Sequence, residues 1–153
     1  MNKNIKPIIY NKSEWEDGPW QYEPDRVEFE HKGYPCLIIR TPMGHLCGYV
    51  AVKPEHPMYG KDYNDVNVEV HGGLTYGNHC NGHICHVPKK GEPDNVYWFG
   101  FDHAHAWDYS PYKSSLAKQN HIFDKMPDEE YRDIEYVTKG VKSLAEQLKA
   151  MEN

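Results

Sequence analysis

The sequence predicts an α+β domain in which a mainly antiparallel sheet carries a C-terminal amphipathic helix on one face. Two observations predict the sheet: apolar and polar residues alternate from Arg26, and turn residues separate short apolar runs up to about residue 104. A third predicts the helix, since apolar residues recur at spacings of three and four from Asp128 to Met151. A chain of 153 residues has the size of one domain, so we expect a single domain over 1–153.

The first half of the sheet is predicted as an antiparallel meander of three strands. In the first strand apolar and acidic residues alternate, Lys32-Gly33 turns the chain, and Tyr34–Ile39 follows as a more buried run. A second turn at Thr41–Gly44 leads into the third strand, His45–Lys53. Residues 1–25 precede the sheet as an irregular arm. We expect its aromatic side chains to pack this arm against the rest of the domain.

The second half of the sheet is predicted as two strands separated by a polar loop. Valines alternate with polar residues over Val66–Val70, which indicates a half-buried strand. Residues 77–94 are predicted as a long loop, and Val96–Phe101, apolar on both faces, as a central strand. The loop before Val66 carries Tyr59 and Tyr63, which we expect to anchor it as one wall of a pocket.

The C-terminal helix is predicted from about Asp128 to Ala150. Pro127 and Asp128 suit a helix start, and acidic residues follow in the first turn, where they complement the positive end of the helix dipole. We expect the helix to pack on the sheet through an apolar stripe that contains Tyr131, Ile134, Val141 and Leu148.

Charge and hydropathy exclude several classes of partner. The net charge is −6 and no basic run is longer than Lys89-Lys90, so a nucleic acid polymer is not an expected partner. No apolar stretch has the length of a signal sequence or a membrane span, so we expect a cytoplasmic protein with no membrane partner. In that reducing compartment the four cysteines are expected to be free thiols or metal ligands, and no structural disulfide is expected.

The first candidate functional segment is His71-Gly-Gly-Leu-Thr-Tyr76. Two adjacent glycines after a strand permit positive φ and expose consecutive N–H groups, which suits Gly72, Gly73 and Thr75 to binding a phosphate or another oxyanion. His71 and Tyr76 flank them as further ligand contacts. The alternative is a tight turn whose glycines serve only the backbone.

The second candidate segment, Asp102-His-Ala-His-Ala-Trp-Asp108, leaves the predicted central strand. Its carboxylates and imidazoles suit three kinds of chemistry: metal binding, general acid–base catalysis, or hydrogen bonds from Asp102 and Asp108 to ribose hydroxyls. His-x-His spacing alone does not define a metal site, so we assign His105, Asp102 and Asp108 to ligand binding and no residue to a metal. The structural alternative is a loop fixed by a capping Asp102 and a hydrogen-bonded His105.

A third cluster combines cysteines and histidines with zinc-binding chemistry. Its donors follow one another within a single short loop, and they are His79, Cys80, His83, Cys85 and His86. Four ligands from one loop strain tetrahedral geometry, so zinc binding by Cys80, His83, Cys85 and His86 and a surface loop without metal both stay open.

Aromatic residues crowd the same stretches of the sequence. Tyr59, Tyr63, Tyr76 and Trp98 are the ones we expect to line a pocket in which a nucleobase stacks. The sequence contains no Walker loop, dinucleotide fingerprint, nucleophile elbow or kinase signature, which disfavours an ordinary nucleotide enzyme.

The sequence resembles a family of small proteins encoded by bacteriophages and prophages over about residues 26–150. The segments that carry the likeness are Gly44–Val50, His56-Pro57, Tyr59-Gly60, Val70–Tyr76, Trp98–Asp102, Ala104-His105, Asp108, Tyr131–Asp133, Tyr136-Val137 and Leu144–Leu148. The resemblance implies a phage setting. Small phage proteins with an aromatic and polar pocket are similar in kind to anti-defence sponges, which sequester the nucleotide-derived signals of bacterial immunity.

Three functions are compatible with these residues. The first is a sponge that binds a small nucleotide-like signal, with His71 and His105 as neutral donors. The second is a phosphodiesterase or nucleotide hydrolase that uses His71 or His105 as acid and base, or a metal held by aspartate. The third is a protein-interaction module that inhibits a host factor. The sequence assigns no cofactor and leaves the identity of the ligand and homo-oligomer formation open.

Overall fold

A five-stranded antiparallel sheet with one long helix forms the fold in this computed structural model, which describes residues 10–86, 88, 90–92, 94–105, 108–112 and 130–152. The strands are β1 (Arg26–His31), β2 (Tyr34–Arg40), β3 (Leu46–Val52), β4 (Tyr76–His79) and β5 (Tyr97–Asp102). They lie in the order β1-β2-β3-β5-β4, and every neighbouring pair is antiparallel. The predicted α+β class is confirmed.

The predicted meander is confirmed from β1 to β3. The β1–β2 turn has positive φ at both Lys32 (56°) and Gly33 (84°), the backbone that matches the twist of a two-residue hairpin. The second turn is closed by Thr41, whose N–H donates to the His45 carbonyl over 2.8 Å. Apolar β5 then pairs with β3, so it occupies the interior of the sheet as predicted.

Two predictions about the second half of the sheet are wrong. Val66–Val70 alternates in burial as expected, but the segment pairs with no strand among the described residues. The side-chain amide of Gln147 accepts from the Glu69 N–H and donates to the Glu69 carbonyl, each over 2.8 Å. These are hydrogen bonds that a neighbouring strand would otherwise form. Conversely, β4 overlaps the region 77–94 that was predicted as a loop. This edge strand is polar and forms through backbone pairing with β5, so its sequence shows no alternation of apolar residues.

The helix, α1, spans Ile134–Ala150 and begins later than predicted. Residues 130–133 are not helical, and the Asp133 carboxylate caps the helix by accepting from the Tyr136 N–H over 2.8 Å. The expected start at 128 itself lies outside the described residues. No helix in the described parts of the chain has the length and apolar character to cross a membrane.

The sheet buries apolar side chains on both faces. On one face α1 packs with its buried residues, which are Val137, Val141, Leu144, Ala145 and Leu148. Tyr131, predicted to belong to this stripe, precedes the helix and binds the Arg40 guanidinium instead. On the other face a smaller core surrounds Trp98, with Leu37 and Tyr49 among its members.

A buried guanidinium ties the N-terminal arm to the sheet. Arg40, whose side chain is 0% exposed, donates to Asp25 over 2.7 Å and to Glu23 over 3.1 Å. Its other donors reach the Gly44 carbonyl and the Tyr131 hydroxyl, each over 2.8 Å. The arm is therefore fixed by buried charge as well as by its aromatics.

The expectation that no disulfide forms is wrong. Cys80 and Cys85 are bonded to each other across the Asn81–Ile84 bridge, which brings their Cα atoms to 4.7 Å. The tight turn between them is the physical reason, because it imposes the proximity that spacing alone did not reveal. Cys36 and Cys47 are free and buried, and burial raises the pKa of each thiol to about 12.

Candidate functional site

The candidate site is built around the Asp108 carboxylate, whose side chain is 1% exposed. His71 Nε2 lies 2.9 Å from both of its oxygens, and His105 Nδ1 lies 2.9 Å from Oδ2. The His105 N–H and Arg132 Nε each donate to it over 3.1 Å. The rings of His71 and His105 are 5.3 Å apart between centroids, so the two candidate segments meet at this carboxylate.

Three separate parts of the chain position these side chains. His71 follows the extended segment beside α1, and His105 and Asp108 belong to the turn after β5, where the Asp108 N–H donates to the His105 carbonyl over 2.9 Å. Arg132 comes from the stretch before α1, which is joined to that turn by a parallel bridge between Asp108 and Glu130. Backbone hydrogen bonds therefore fix the base of the site.

The charge of Asp108 determines the hydrogen-bonding pattern. Burial alone raises the pKa of this carboxyl, but the hydrogen bonds from His71, His105 and Arg132 outweigh burial and lower its pKa to about 2. The ionised carboxylate only accepts, so the proton of a neutral His71 sits on Nε2. Its Nδ1 is then the acceptor that faces the Tyr136 hydroxyl at 2.9 Å.

Tyr136 connects this cluster to an open groove. The groove lies between the Glu69–His71 segment and α1, has a volume of about 430 Å³, and is lined also by Phe101, Lys139, Gly140 and Ser143. Tyr136 is 41% exposed, and the Arg132 guanidinium lies 5.0 Å from the centre of its ring. The arrangement places a phenol, an imidazole and the Lys139 ammonium group beside a cavity of ligand size.

A second carboxylate flanks His105 on its other side. Asp102 Oδ1 lies 3.8 Å from His105 Nε2, and the Asp102 side chain is 31% exposed. Thr75 Oγ1 donates to Asp102 over 3.0 Å, and the Ala104 N–H donates to it over 3.1 Å. The structure thus brings together His71, Thr75, Asp102, His105 and Asp108, all of which the sequence singled out.

The predicted aromatic wall is not part of this cluster. Trp98 is 0% exposed in the core on the sheet face away from α1, and Tyr76 packs there at 5.5 Å from Tyr49. Tyr59 contacts Tyr97 at the start of β5, and that strand of six residues ends at Asp102, roughly 17 Å away. Tyr63 packs at the edge of the core that α1 covers. These four rings therefore lie outside the cluster around Asp108.

Sequence reasoning missed three contributors to the site. Tyr136 and Arg132 were read only as parts of the helical segment, although both fall in the resemblance motifs near its start. His103 was given no role, yet its ring stacks on His71 at 4.7 Å and its Nδ1 lies 2.7 Å from the Leu46 carbonyl. Burial lowers the pKa of His103 to about 4, so it stays neutral and forms the back wall of the site.

The cysteine and histidine cluster at 79–86 does not form a four-donor site in this structure. Cys80 and Cys85 are bonded to each other, so neither sulfur is a thiolate ligand, and His83 is exposed. Arg26 donates to the carbonyls of His83 and Cys85 over 2.7 and 2.6 Å, which ties this loop to β1. A zinc site here requires reduced cysteines.

The glycine pair gives a matched test of the site's packing. Gly72 and Gly73 both have positive φ (69° and 82°), but a Cβ at Gly72 would collide with the His105 ring, whereas none of the described atoms lies within 4 Å of one at Gly73. We expect Gly73→Ala to cost about 1 kcal/mol through backbone strain alone. Gly72→Ala is expected to cost about 1 kcal/mol more and to displace His105.

Chemical denaturation of both variants measures this difference, and the histidine ring resonances report the displacement. Equal losses of stability with an unmoved His105 would contradict the close approach of Gly72 and His105.

Comparison with protein-family models, with curated proteins and with solved structures finds no match for this chain. The residues of the site therefore carry the functional argument.

Proposed function

We propose that the protein binds a small anionic, nucleotide-like molecule in the groove beside His71 and sequesters it, in the manner of an anti-defence sponge. The observation that carries the proposal is an oriented imidazole at the mouth of a cavity. His71 is held by the charged Asp108 on one side and faces Tyr136 on the other, beside a groove of about 430 Å³. Cavities of roughly 300–1,000 Å³ suit small molecules.

The chemistry of the groove favours an anion with an aromatic part. Lys139 lines the cavity and supplies a positive charge for a phosphate, whereas the positive end of the α1 dipole is already covered by the carboxylates of Glu23 and Asp133. The Tyr136 ring, partly exposed, offers a surface on which a base stacks. These groups supply a phosphate contact and a base contact from a single helix end.

The roles of the two aspartates differ in this proposal. All the donors around Asp108 are directed at its buried carboxylate, so it orients His71 and His105 rather than touching the ligand. Asp102 is the more exposed carboxylate, and it is the one assigned to a ribose hydroxyl or a base edge. Gly73 has open space where a side chain would stand, but its N–H donates to the Val70 carbonyl over 2.9 Å, so the phosphate contact is assigned to Lys139.

Three side chains connected by hydrogen bonds favour a second candidate function, the hydrolysis of a phosphodiester or nucleotide. In this series His71 lies between Tyr136 and Asp108. A carboxylate that fixes one nitrogen of an imidazole leaves the other nitrogen as a proton acceptor, as in general base catalysis. His71 Nδ1, which lies 2.9 Å from the Tyr136 hydroxyl, would take a proton from a water molecule as the water oxygen attacks phosphorus and the P–O bond to the leaving group breaks. Here His71 is the base and Asp108 the orienting group.

Ligand recovery separates the two functions. The protein is incubated with cyclic dinucleotides and ADP-ribose derivatives, washed, denatured by heat, and the released small molecules are identified by mass spectrometry. Intact ligand in one-to-one amount is the expected result, whereas an altered ligand supports the hydrolase. Retention should be lost in His71→Ala and Asp102→Ala, because each removes a polar contact of the site, while thermal stability stays close to that of the parent.

Tyr59→Phe is the matched control, since Tyr59 lies at the other end of β5 and its loss should leave retention unchanged. If the parent retains no molecule of the panel, or if both site variants retain as much as the parent, the assignment is wrong and the interaction-module alternative gains support.

A further inference from the structure

The donors around Asp108 have the spacing of a metal site. His71 Nε2 and His105 Nδ1 each lie 2.9 Å from a carboxylate oxygen of Asp108, and one donor atom from each side chain lies within 4.8 Å of the other two. Zinc holds nitrogen and oxygen donors at ~2.0–2.2 Å, which separates tetrahedral donors by about 3.4 Å. We propose that His71, His105 and Asp108 bind a divalent transition-metal ion, with zinc as the first ion to test.

The opposite nitrogen of each imidazole faces an oxygen atom, and that of His71 lies within hydrogen-bond distance of it. A ligating histidine donates its other N–H to an oxygen, which fixes the ring and its tautomer. His71 Nδ1 lies 2.9 Å from the Tyr136 hydroxyl, and His105 Nε2 lies 3.8 Å from the Asp102 carboxylate. Thr75 in turn holds Asp102 over 3.0 Å, so an outer layer supports the three ligands.

The charge of the cluster matches a divalent cation. Among the residues that the structure describes, the carboxylates of Asp102, Asp108 and the exposed Glu130 are connected by ion pairs through this cluster to one guanidinium, that of Arg132. Three negative charges against one positive charge leave an excess of two with neutral imidazoles. A divalent ion would balance this excess, and so would protonation of both histidines. A measurement of metal binding distinguishes these two possibilities.

Three protein ligands leave at least one coordination position for a water or a ligand oxygen, which is the pattern of catalytic rather than structural zinc sites. The inference goes beyond the proposed function, because a metal binds this triad whether or not a nucleotide occupies the groove. Histidine with carboxylate suits zinc and its neighbours rather than calcium or magnesium, which prefer oxygen ligands.

Calorimetric titration with zinc chloride tests the proposal. The protein is first treated with a chelator and kept without reductant, so that Cys80 and Cys85 stay paired. We expect one zinc ion per chain, and a visible absorption band when cobalt replaces zinc. Affinity should fall by up to ~10–100-fold in Asp102→Asn, which alters an outer contact, and further in His105→Ala and Asp108→Asn, which remove ligands.

His83→Ala is the matched control, because it removes an exposed histidine outside the triad and should leave the affinity unchanged. If Asp108→Asn does not fold, His105→Ala carries the test, since this side chain is 19% exposed. Absence of saturable one-to-one binding by the parent would overturn the proposal. So would zinc binding that is as tight in His105→Ala as in the parent, because it would come from other histidines.

Discussion

Replacing Arg40 with methionine is expected to cost about 3–5 kcal/mol of the free energy of unfolding, because it leaves buried carboxylates without their partner. The Arg40 side chain is 0% exposed, and those of Asp25 and Glu23 are 5% and 8% exposed. Methionine fills part of the volume but donates no hydrogen bond. Lys12, which lies 2.7 Å from Asp25, relieves only one of the two carboxylates.

Urea denaturation measures this loss, with two further variants as references. Arg40→Lys keeps the charge but not the planar fork, so its stability should fall between those of the parent and Arg40→Met. Lys139→Met removes an exposed partner of Glu135 and should change stability little. A loss in Arg40→Met no larger than that in Lys139→Met would mean that the arm is not held by this guanidinium.

The same network predicts a shift in acid unfolding. Burial raises the pKa of Asp25, but hydrogen bonds from Lys12, the Tyr10 N–H and Arg40 outweigh burial, so the pKa in the folded protein lies below its ordinary value. Its stabilisation is therefore present above the unfolded pKa and is lost as the pH falls through the folded pKa. Without Arg40 the folded pKa rises, and acid unfolding of Arg40→Met should begin at a higher pH than that of the parent.

Replacing Leu144 with alanine is expected to cost about 2–5 kcal/mol, because it opens a cavity where α1 meets the sheet. Leu144 is fully buried between the helix and β-strand residues of the larger core. Neighbouring Ser143 is exposed on the same helix, and Ser143→Ala should leave stability unchanged or slightly increased, since alanine favours helix. Thermal or urea unfolding of the two variants checks the contrast, and a loss below about 1 kcal/mol in Leu144→Ala would contradict close packing of α1.

Fold class was predictable because it depends on local patterns. Period-two alternation, the Lys32-Gly33 turn and the apolar stripe of α1 are properties of neighbouring residues, and each was confirmed. The strand prediction for Val66–Val70 was wrong because alternation shows only that one side of a segment is buried. It does not show which group forms hydrogen bonds with the backbone. The partner here is Gln147, 78 residues away in the chain, which no local pattern reveals.

The site was predictable only in part for a related reason. His71, Asp102, His105 and Asp108 stand at strand ends and turns, where functional side chains concentrate, so their residue types pointed to them. Tyr136 and Arg132 lie near the start of α1. Helix formation alone accounts for the residue types there, so nothing in the sequence pointed to a functional role for these two. Trp98 and Tyr59 were predicted to line the pocket because aromatic side chains occur both in hydrophobic cores and in ligand sites. Only the packing in the folded structure distinguishes these two locations.

The contacts of His71 have a consequence for the order in which the protein folds. Two of its partners, Asp108 and Tyr136, follow it by 37 and 65 residues, so each of these contacts closes a long loop of chain. Loop closure costs entropy before the contact repays it, so non-local contacts of this kind slow folding. During synthesis the imidazole therefore emerges well before the phenol, and a nascent chain that ends before Tyr136 holds an incomplete site.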